Sequence, residues 1–580
     1  MARDGRNGRK RGRKREAERR DSAPDGQPLE GSGLRTLGIG AFWLAAFVAA
    51  ALLLAWPAVD GEFLSDDHFY IVNNYYLHEL SLENFLAILD PYGEPAIYTL
   101  NYAPLHLYAH ALEWALWEDA TRGYHVVNAV LHGLTSALLI PLFRRAGLPP
   151  LAALLGAVLF LVHPANVETV AWIFQLKTIL SLALGIGALL LLDRRPALAM
   201  LLFAAAILTK ITAIFALPVA LAAAWGRQVR GEGTPRWGWL AGWAALLLAV
   251  AVPEMIAFER ADDARILLHE ELSVHVRTII AIAMRYLVMA FTGHGVATFQ
   301  EPPPALSWLD PWWLCGLLFL GLLLWRMVVT LWRGDAEATF WIFAAGAYAP
   351  VSQVFPFMFP MGDRYLYTVL PGLFGGAMLA VASAWPALQR LVRERLPDQE
   401  PLLEAMPRVA VALAVLVAFF FAARSHERAA VFVDGRTMMV DSALRFPNGM
   451  QAALLRAHTA ADRGDAVASA RSFEIAIELG FSDLTALLEH PGLESVRGHP
   501  EFQRVMRGLA RRDIERLSRH EWLSQGELLI LHVALMVDGD REAAVRALRT
   551  GLEQGGPLDR HLRSRLRSMG ELPRRTAPQP

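Results

Sequence analysis

Runs of about twenty mostly apolar residues, each broken by a short polar or basic stretch, recur from Leu34 to Arg424. Nothing else in the chain constrains its fold as strongly. A lipid interior offers no water to backbone amides, so only helices or closed barrels can cross it. Runs of this length match helices, not the ten-residue alternation of barrel strands. They begin near Leu34, Gly123, Leu151, Lys177, Ala197, Ile211, Trp237, Trp312, Ala338, Arg364 and Val409. The expected fold is therefore all-α and polytopic, with about eleven transmembrane helices. Composition agrees: 54% of residues are hydrophobic and 19% charged, against about 25% charged in an average soluble protein.

Sidedness is read from the basic residues. The first twenty residues, "MARDGRNGRKRGRKREAERR", hold ten Lys or Arg against three acids. A nucleic-acid arm is one reading, and a cytoplasmic topology anchor ahead of the first apolar run is the plainer one. That run is longer than the apolar core of a signal peptide. Five further basic clusters follow, at 143–147, 193–197, 226–236, 332–335 and 389–400. All fall on the cytoplasmic side if the N-terminus is inside and 272–293 lies along the outer interface instead of crossing. The opposite face then receives a loop over 60–122, the segment "HPANVETVAW", residues 258–310 and everything after about Arg424. An inner-membrane protein of bacterial type is expected, with its C-terminal part extracytoplasmic.

The expected organisation is a basic arm over 1–33, a transmembrane domain over 34–424, a linker over 425–446, a helical domain over 447–570 and a disordered tail over 571–580. Within 447–570 the chain twice reads as an apolar helix, a Gly-Asp turn and a second helix with small residues at packing positions. That pattern resembles tetratricopeptide repeats, with an irregular period. Cys315 is the single cysteine and lies in an apolar run, so internal disulfides and thiolate metal clusters are excluded.

Several polar residues fit none of these roles. In "FLSDDHFYIVNN" (63–74), Asp66 and Asp67 stand between aromatic and apolar neighbours. Adjacent residues do not share a helix face, so one carboxylate is expected to meet a reacting group and the other a structural partner. A simple turn or helix cap is the competing reading. Lys177, Lys210, Arg285 and Arg364 interrupt apolar runs, all near outer helix ends by this topology, where a charge costs less than at mid-membrane. Snorkelling accounts for each alone. It does not account for four cations on one face with no excess of acids, which points to a phosphate-bearing lipid substrate. In "HPANVETVAW", His163 and Glu168 are five apart, the wrong spacing for a metal pair on a helix, and a structural histidine is the plain reading of His163.

These stretches together resemble the transmembrane and tetratricopeptide-repeat O-mannosyltransferases (the TMTC family) of the GT-C glycosyltransferase superfamily. "FLSDDHFYIVNN" is similar to the family's Asp-Asp loop. "YAPLHLYAHALEWALWEDATRGYHVVNAVLHG" is similar to its Tyr-x-Pro-Leu and Gly-Tyr-His-x-Val-Asn segments. "HPANVETVAWIFQLKTILS", "TKITAIFALP" and "GDRYLYTVLPG" follow in the family's order, and coverage is roughly residues 36–570. Four positions depart: Ala103 stands for Arg, Thr178 for Asp, Ile211 for Glu and Asp363 for Glu.

The resemblance implies a GT-C-like transferase that moves a sugar, mannose or another hexose, from a polyprenyl-phosphate donor to an extracytoplasmic protein hydroxyl with inversion. Asp66 would be the base and Asp67 its partner in the catalytic loop. Lys177, Arg364 and Arg285 would meet the leaving phosphate, with Tyr102, His163, Glu168 and Lys210 as further substrate-binding positions. The scheme calls for no metal or other cofactor and no nucleic acid. Its partners are the lipid-linked donor, the membrane lipids, and a protein or peptide acceptor held by the C-terminal repeats. The alternatives are a transferase acting on a glycan or lipid acceptor, and a non-catalytic scaffold that presents the repeats.

Overall fold

The computed structural model describes residues 30–99, 101–259, 268–354, 359–395 and 400–572. The basic arm expected over 1–33 lies outside them apart from 30–33, and the tail expected over 571–580 apart from 571 and 572. Two compact units divide between Ala46 and Phe47. The first contains the beginning of the helix Glu30–Ala55. The second carries the remaining helices.

The fold is all-α. Among the described residues the only extended pairing is an isolated bridge between Gln300 and Met361. Among the described residues nine helices are long and apolar enough to cross a membrane, or ten if the bent pair Pro150–Leu161 and Pro164–Ala171 counts as one span. Two of the eleven runs read from sequence become shorter helices, Pro196–Thr209 and Ala336–Tyr348, of 14 and 13 residues.

Polar contacts distinguish two ends of this bundle. At one end Arg122 pairs with Asp60, and the same helix, Arg122–Arg145, delivers Arg145 to Asp193 at the other. Arg227 also reaches Asp193, and Arg230 caps the carbonyl of Gly334, so four basic stretches of the sequence meet at that second end. The first end collects the loop after Ala58, the turn before Lys177, Glu254 and the start of the helix Asp363–Arg395. Helix Ala336–Tyr348 joins the Gly334 end to Gln353, which is tied to the Phe359 carbonyl at the first end.

Helix Leu272–Thr292, expected to lie along the outer interface, is 21 residues long and apolar enough to count among the helices that could cross. Arg277 donates to the carbonyls of Ala305 and Leu306 ahead of the next helix. Near its far end Tyr286 bonds to Gly362, and the Ala290 carbonyl bonds to His163. The Arg277 and Tyr286 bonds run to the segments that precede the helices Pro311–Arg333 and Asp363–Arg395.

Close packing follows from small residues. A Cβ on Gly372 would collide with the Ala344 backbone, so the long helix Asp363–Arg395 can approach Ala336–Tyr348 this closely only where a side chain is missing. Ring stacks fill the rest of the core: Phe203 on Trp243 at 4.3 Å and Phe215 on Phe343 at 4.5 Å.

Residues 447–570 form helical hairpins. Met450–Asp462 turns into Ala466–Glu478 through Gly464 at φ +74°, and Gln525–Asp538 into Arg541–Gln554 through Gly539 at φ +101°. Each left-handed glycine ends one helix, and the aspartate after it caps the next: Asp465 accepts from Ala468, and Asp540 from Ala543. That is why the Gly-Asp pair recurs. The segment expected as a linker is itself helical over Gly435–Arg445, and its Asp441 accepts the Thr298 amide at 2.9 Å.

Candidate active site

The loop "FLSDDHFYIVNN" makes a tight entry. Ser65 takes φ +41°, a conformation that non-glycine residues rarely adopt, and a single π-helical turn follows over His68–Val72. The two adjacent carboxylates then part company. Asp67 is fully buried, and each oxygen accepts a backbone amide at 2.8 Å, one from Leu64 and one from Phe174. Trp172 adds an indole N–H to the Leu64 carbonyl at 3.1 Å. Asp66 keeps some accessible surface, and no hydrogen bond holds its carboxylate among the described residues. Of the adjacent pair, Asp67 alone is held by backbone amides among the described residues.

Asp67 thus fixes the turn that opens the helix Leu176–Leu191 and carries Lys177. The Lys177 ammonium lies 4.1 Å over the Tyr70 ring and 4.9 Å from that of Phe174, and the two rings stack at 5.3 Å. Such faces stabilise a buried cation without neutralising it. Lys177 and Arg364 both act electrostatically on Asp66. Burial pushes the Asp66 carboxyl up from its ordinary value near 3.8, and the two cations pull it part of the way back. Burial raises Asp67 well above that value, its two amide bonds oppose the shift, and the neighbouring Asp66 adds to it.

The expectation of unpaired cations needs correction. Glu168 clamps Arg364, accepting its guanidinium at 2.5 Å and its backbone amide at 2.8 Å. Both side chains are buried, so the pair forms in a low-dielectric setting. Beside it, Asp363 accepts from Ala297, Gln300 and Arg428 and pins the start of the same helix. Lys210 donates to the Thr178 hydroxyl at 2.8 Å, which donates to Gln175 at 2.6 Å. The Thr178 hydroxyl is a neutral group where the resemblance leads one to expect an acid. Glu254 lies close enough to Lys177 and Lys210 for the charges to interact, and it accepts the Tyr102 amide at 2.6 Å.

Asp66, Lys177, Arg364, Glu168 and Lys210 therefore belong to one charged cluster, with Tyr102 attached through Glu254. Arg285 does not join it: its guanidinium stacks on Trp312 at 4.5 Å, with Asp310 as its acidic neighbour. His163 has both ring nitrogens engaged locally, with the Ala290 carbonyl and the Ala165 amide. That is the bond pattern of a structural histidine.

Sequence reasoning passed over two features. Glu254 is one, although a lone acid near the end of an apolar run invites the argument used for the cations. The other is His106, His110 and Glu113, spaced to share one helix face. His110 bonds to Glu113 at 2.6 Å, and its ring lies 4.5 Å from His106, which in turn lies 5.6 Å from Tyr70. Among the described residues no side chain partners the ring nitrogens of the buried His106, the Phe174 backbone lies beside the ring, and burial holds its imidazole well below 6.5. No group of three or more His, Cys, Asp or Glu among the described residues is arranged to hold a metal ion.

The fold and this cluster define a polytopic, all-α integral membrane protein with a buried charged site at one end of its bundle. No protein-family model matches the chain. Three curated relatives do. Protein O-mannosyl-transferase TMTC4 of Homo sapiens is 32% identical over 151 residues, 22% of this chain and 20% of that protein. Its Mus musculus counterpart is 32% identical over 148 residues, with the same coverage of 22% and 20%. Protein O-mannosyl-transferase TMTC3 of Mus musculus is 28% identical over 138 residues, 23% of this chain and 15% of that protein. The chain thus matches these relatives over a fifth of their length or less. Over that share it is TMTC-like, in agreement with the resemblance read from its motifs.

Proposed function

We propose that this protein is a membrane glycosyltransferase of GT-C type that moves a hexose from a polyprenyl-phosphate donor to the hydroxyl of an extracytoplasmic protein, inverting the anomeric centre. One observation carries the reading: Asp67 is locked by two amides while adjacent Asp66 is unbonded and faces Lys177 and Arg364. In the reaction the acceptor oxygen attacks the anomeric carbon as Asp66 takes its proton. The bond from that carbon to the phosphate oxygen breaks with its electron pair, and polyprenyl phosphate leaves. Lys177, Lys210 and the edge of the Arg364 guanidinium not used by Glu168 meet the growing negative charge. No metal enters this scheme.

Sidedness follows the same reading. The charged site lies at the end opposite the Arg145, Arg227 and Arg236 cluster, and basic residues mark the cytoplasmic face. The site is then extracytoplasmic, and so are the hairpins of 447–570, which act as a tetratricopeptide-like holder for the protein acceptor. The relatives' names support a protein acceptor.

The test is mass spectrometry of extracytoplasmic proteins from cells that make the protein, lack it, or carry Asp66→Asn. Hexose lost from the same peptides in the last two supports the proposal. Unchanged peptides with a changed glycolipid pool favour a lipid or glycan acceptor instead.

A further inference from the structure

At the end of the bundle away from the carboxylates lies an open depression of about 590 Å³. It is lined by Asp193, Arg227, Thr234, Arg236, Trp237 and Trp239, among others. We propose that it binds the phosphate headgroup of an anionic phospholipid. This rests on the protein's insertion in a membrane and not on its activity.

Charge is the first argument. Asp193 is shared: its carboxylate pairs with both Arg145 and Arg227, and its backbone carbonyl accepts from Arg236 at 2.8 Å. Arg194 is near enough to bear on Arg145. Two guanidinium groups, Arg145 and Arg227, therefore share one carboxylate, Arg236 and Arg194 beside them draw on no acid of their own, and the Nε of Arg227 is buried without a hydrogen-bond partner among the described residues. Arg230 is not part of this excess, because Glu232 takes it in a two-pronged pair at 2.8 and 2.9 Å. A phosphodiester would supply the missing anion in the fork geometry that guanidinium favours. The helix Trp237–Glu259 starts at this depression and adds the partial positive charge of its N-terminus.

The surroundings favour a lipid over a free ion. Trp237 is 44% exposed, and tryptophan gathers at headgroup depth. Below it the helix Pro196–Thr209 packs beside Trp237–Glu259, with the Met200 methyl 3.2 Å from where a Cβ on Gly242 would stand. Leu198 and Leu201 on that helix stay exposed, a surface for the acyl chains of a bound lipid. Pocket volume falls within the ordinary range for small-molecule sites.

Native mass spectrometry of the full chain, supplied with equal amounts of phosphatidylglycerol and phosphatidylcholine, tests the proposal. The expected result is preferential retention of phosphatidylglycerol, falling roughly tenfold or more in Arg194→Gln/Arg236→Gln. That variant leaves the Arg145 and Arg227 pairs with Asp193 intact. A control, Arg504→Gln/Arg519→Gln, removes two exposed charges from the C-terminal hairpins and should retain lipid as the parent does. Thermal stability measured with glycerol phosphate or inorganic phosphate provides the second arm. Equal retention of the two lipids by the parent protein overturns the proposal, as does equal loss in both variants. Stabilisation by the soluble phosphates that matches that by the lipid overturns it too, since the site would then recognise a free anion.

Discussion

Asp67 and Phe174 lie 107 residues apart and are joined by a 2.8 Å hydrogen bond from backbone amide to carboxylate. Through that bond the loop after the first membrane helix sets the position of Lys177, three residues further on. The neighbour, Asp66, has no such bond among the described residues and is the base of the proposed transfer. Two isosteric substitutions should therefore separate. Asp67→Asn keeps one acceptor oxygen and turns an N–H toward an amide N–H, so it should cost about 1–3 kcal/mol of stability. Asp66→Asn should leave the melting temperature near that of the parent and abolish hexose transfer. Thermal melts in detergent and glycopeptide mass spectrometry read the two effects, and equal destabilisation by both would remove the division of roles.

Proton transfer to Asp66 requires its ionised form. Burial raises this carboxyl above its ordinary 3.8, so the acid limb of the transfer rate should have its midpoint above that value. Activity then falls as pH drops through the raised value. Lys177 opposes the shift. Residual activity in Lys177→Gln should therefore show a limb displaced further toward neutral pH. A limb that stays in place, or moves down, would detach Lys177 from the base.

Much of this site was legible from the chain. Asp66 and Asp67 stood out because carboxylates among aromatic residues need a reason, and Lys177, Lys210 and Arg364 because cations are costly near lipid. Their acidic partners were harder to see. Glu168 pairs with Arg364 across 196 residues, and no local spacing announces a contact of that kind. Arg285 obeyed the same sequence rule as the others and went elsewhere, because Trp312 offered its guanidinium a ring face. Helix boundaries suffered likewise: Pro196–Thr209 and Ala336–Tyr348 sit in long apolar stretches but end where Lys210 and Pro350 interrupt regular α-helix.

The Glu168–Arg364 pair is buried on both sides, so removing one partner leaves a lone charge. Glu168→Ala should destabilise by about 3–5 kcal/mol. Adding Arg364→Gln to it should recover part of that loss, because the stranded guanidinium is gone. Both variants should lose transfer. A double-mutant cycle on unfolding midpoints measures the coupling, and simple additivity would mean the pair contributes nothing as a pair.

Thr178 offers a test of the substrate cations. Its hydroxyl accepts the Lys210 ammonium at 2.8 Å, and Thr178→Asp would put a carboxylate there. The new carboxylate should hold Lys210 to itself and weaken use of the phosphate donor, raising the donor KM by about tenfold while kcat changes less. Donor titration with purified protein gives the split. A KM unchanged in Thr178→Asp would place Lys210 outside the donor's reach.

The C-terminal hairpins are tied to the bundle by a carboxylate at a helix start. Glu301 accepts the amides of Met450 at 2.6 Å and Gln451 at 3.2 Å, supplying from a distant segment the cap that Gly449 cannot provide. These amides carry the helix's partial positive charge, so an ionised carboxylate suits them better than an amide group. Glu301→Gln should weaken the cap by about 1 kcal/mol and Glu301→Ala by somewhat more. The loss should appear as faster hydrogen exchange across residues 450–462, with exchange in the helix Pro500–Leu517 unchanged. If the hairpins position a protein acceptor over Asp66, hexose transfer to protein should fall in Glu301→Ala while binding of the lipid donor stays the same. Faster exchange with undiminished transfer would mean that the hairpins are anchored for some purpose other than presenting the acceptor.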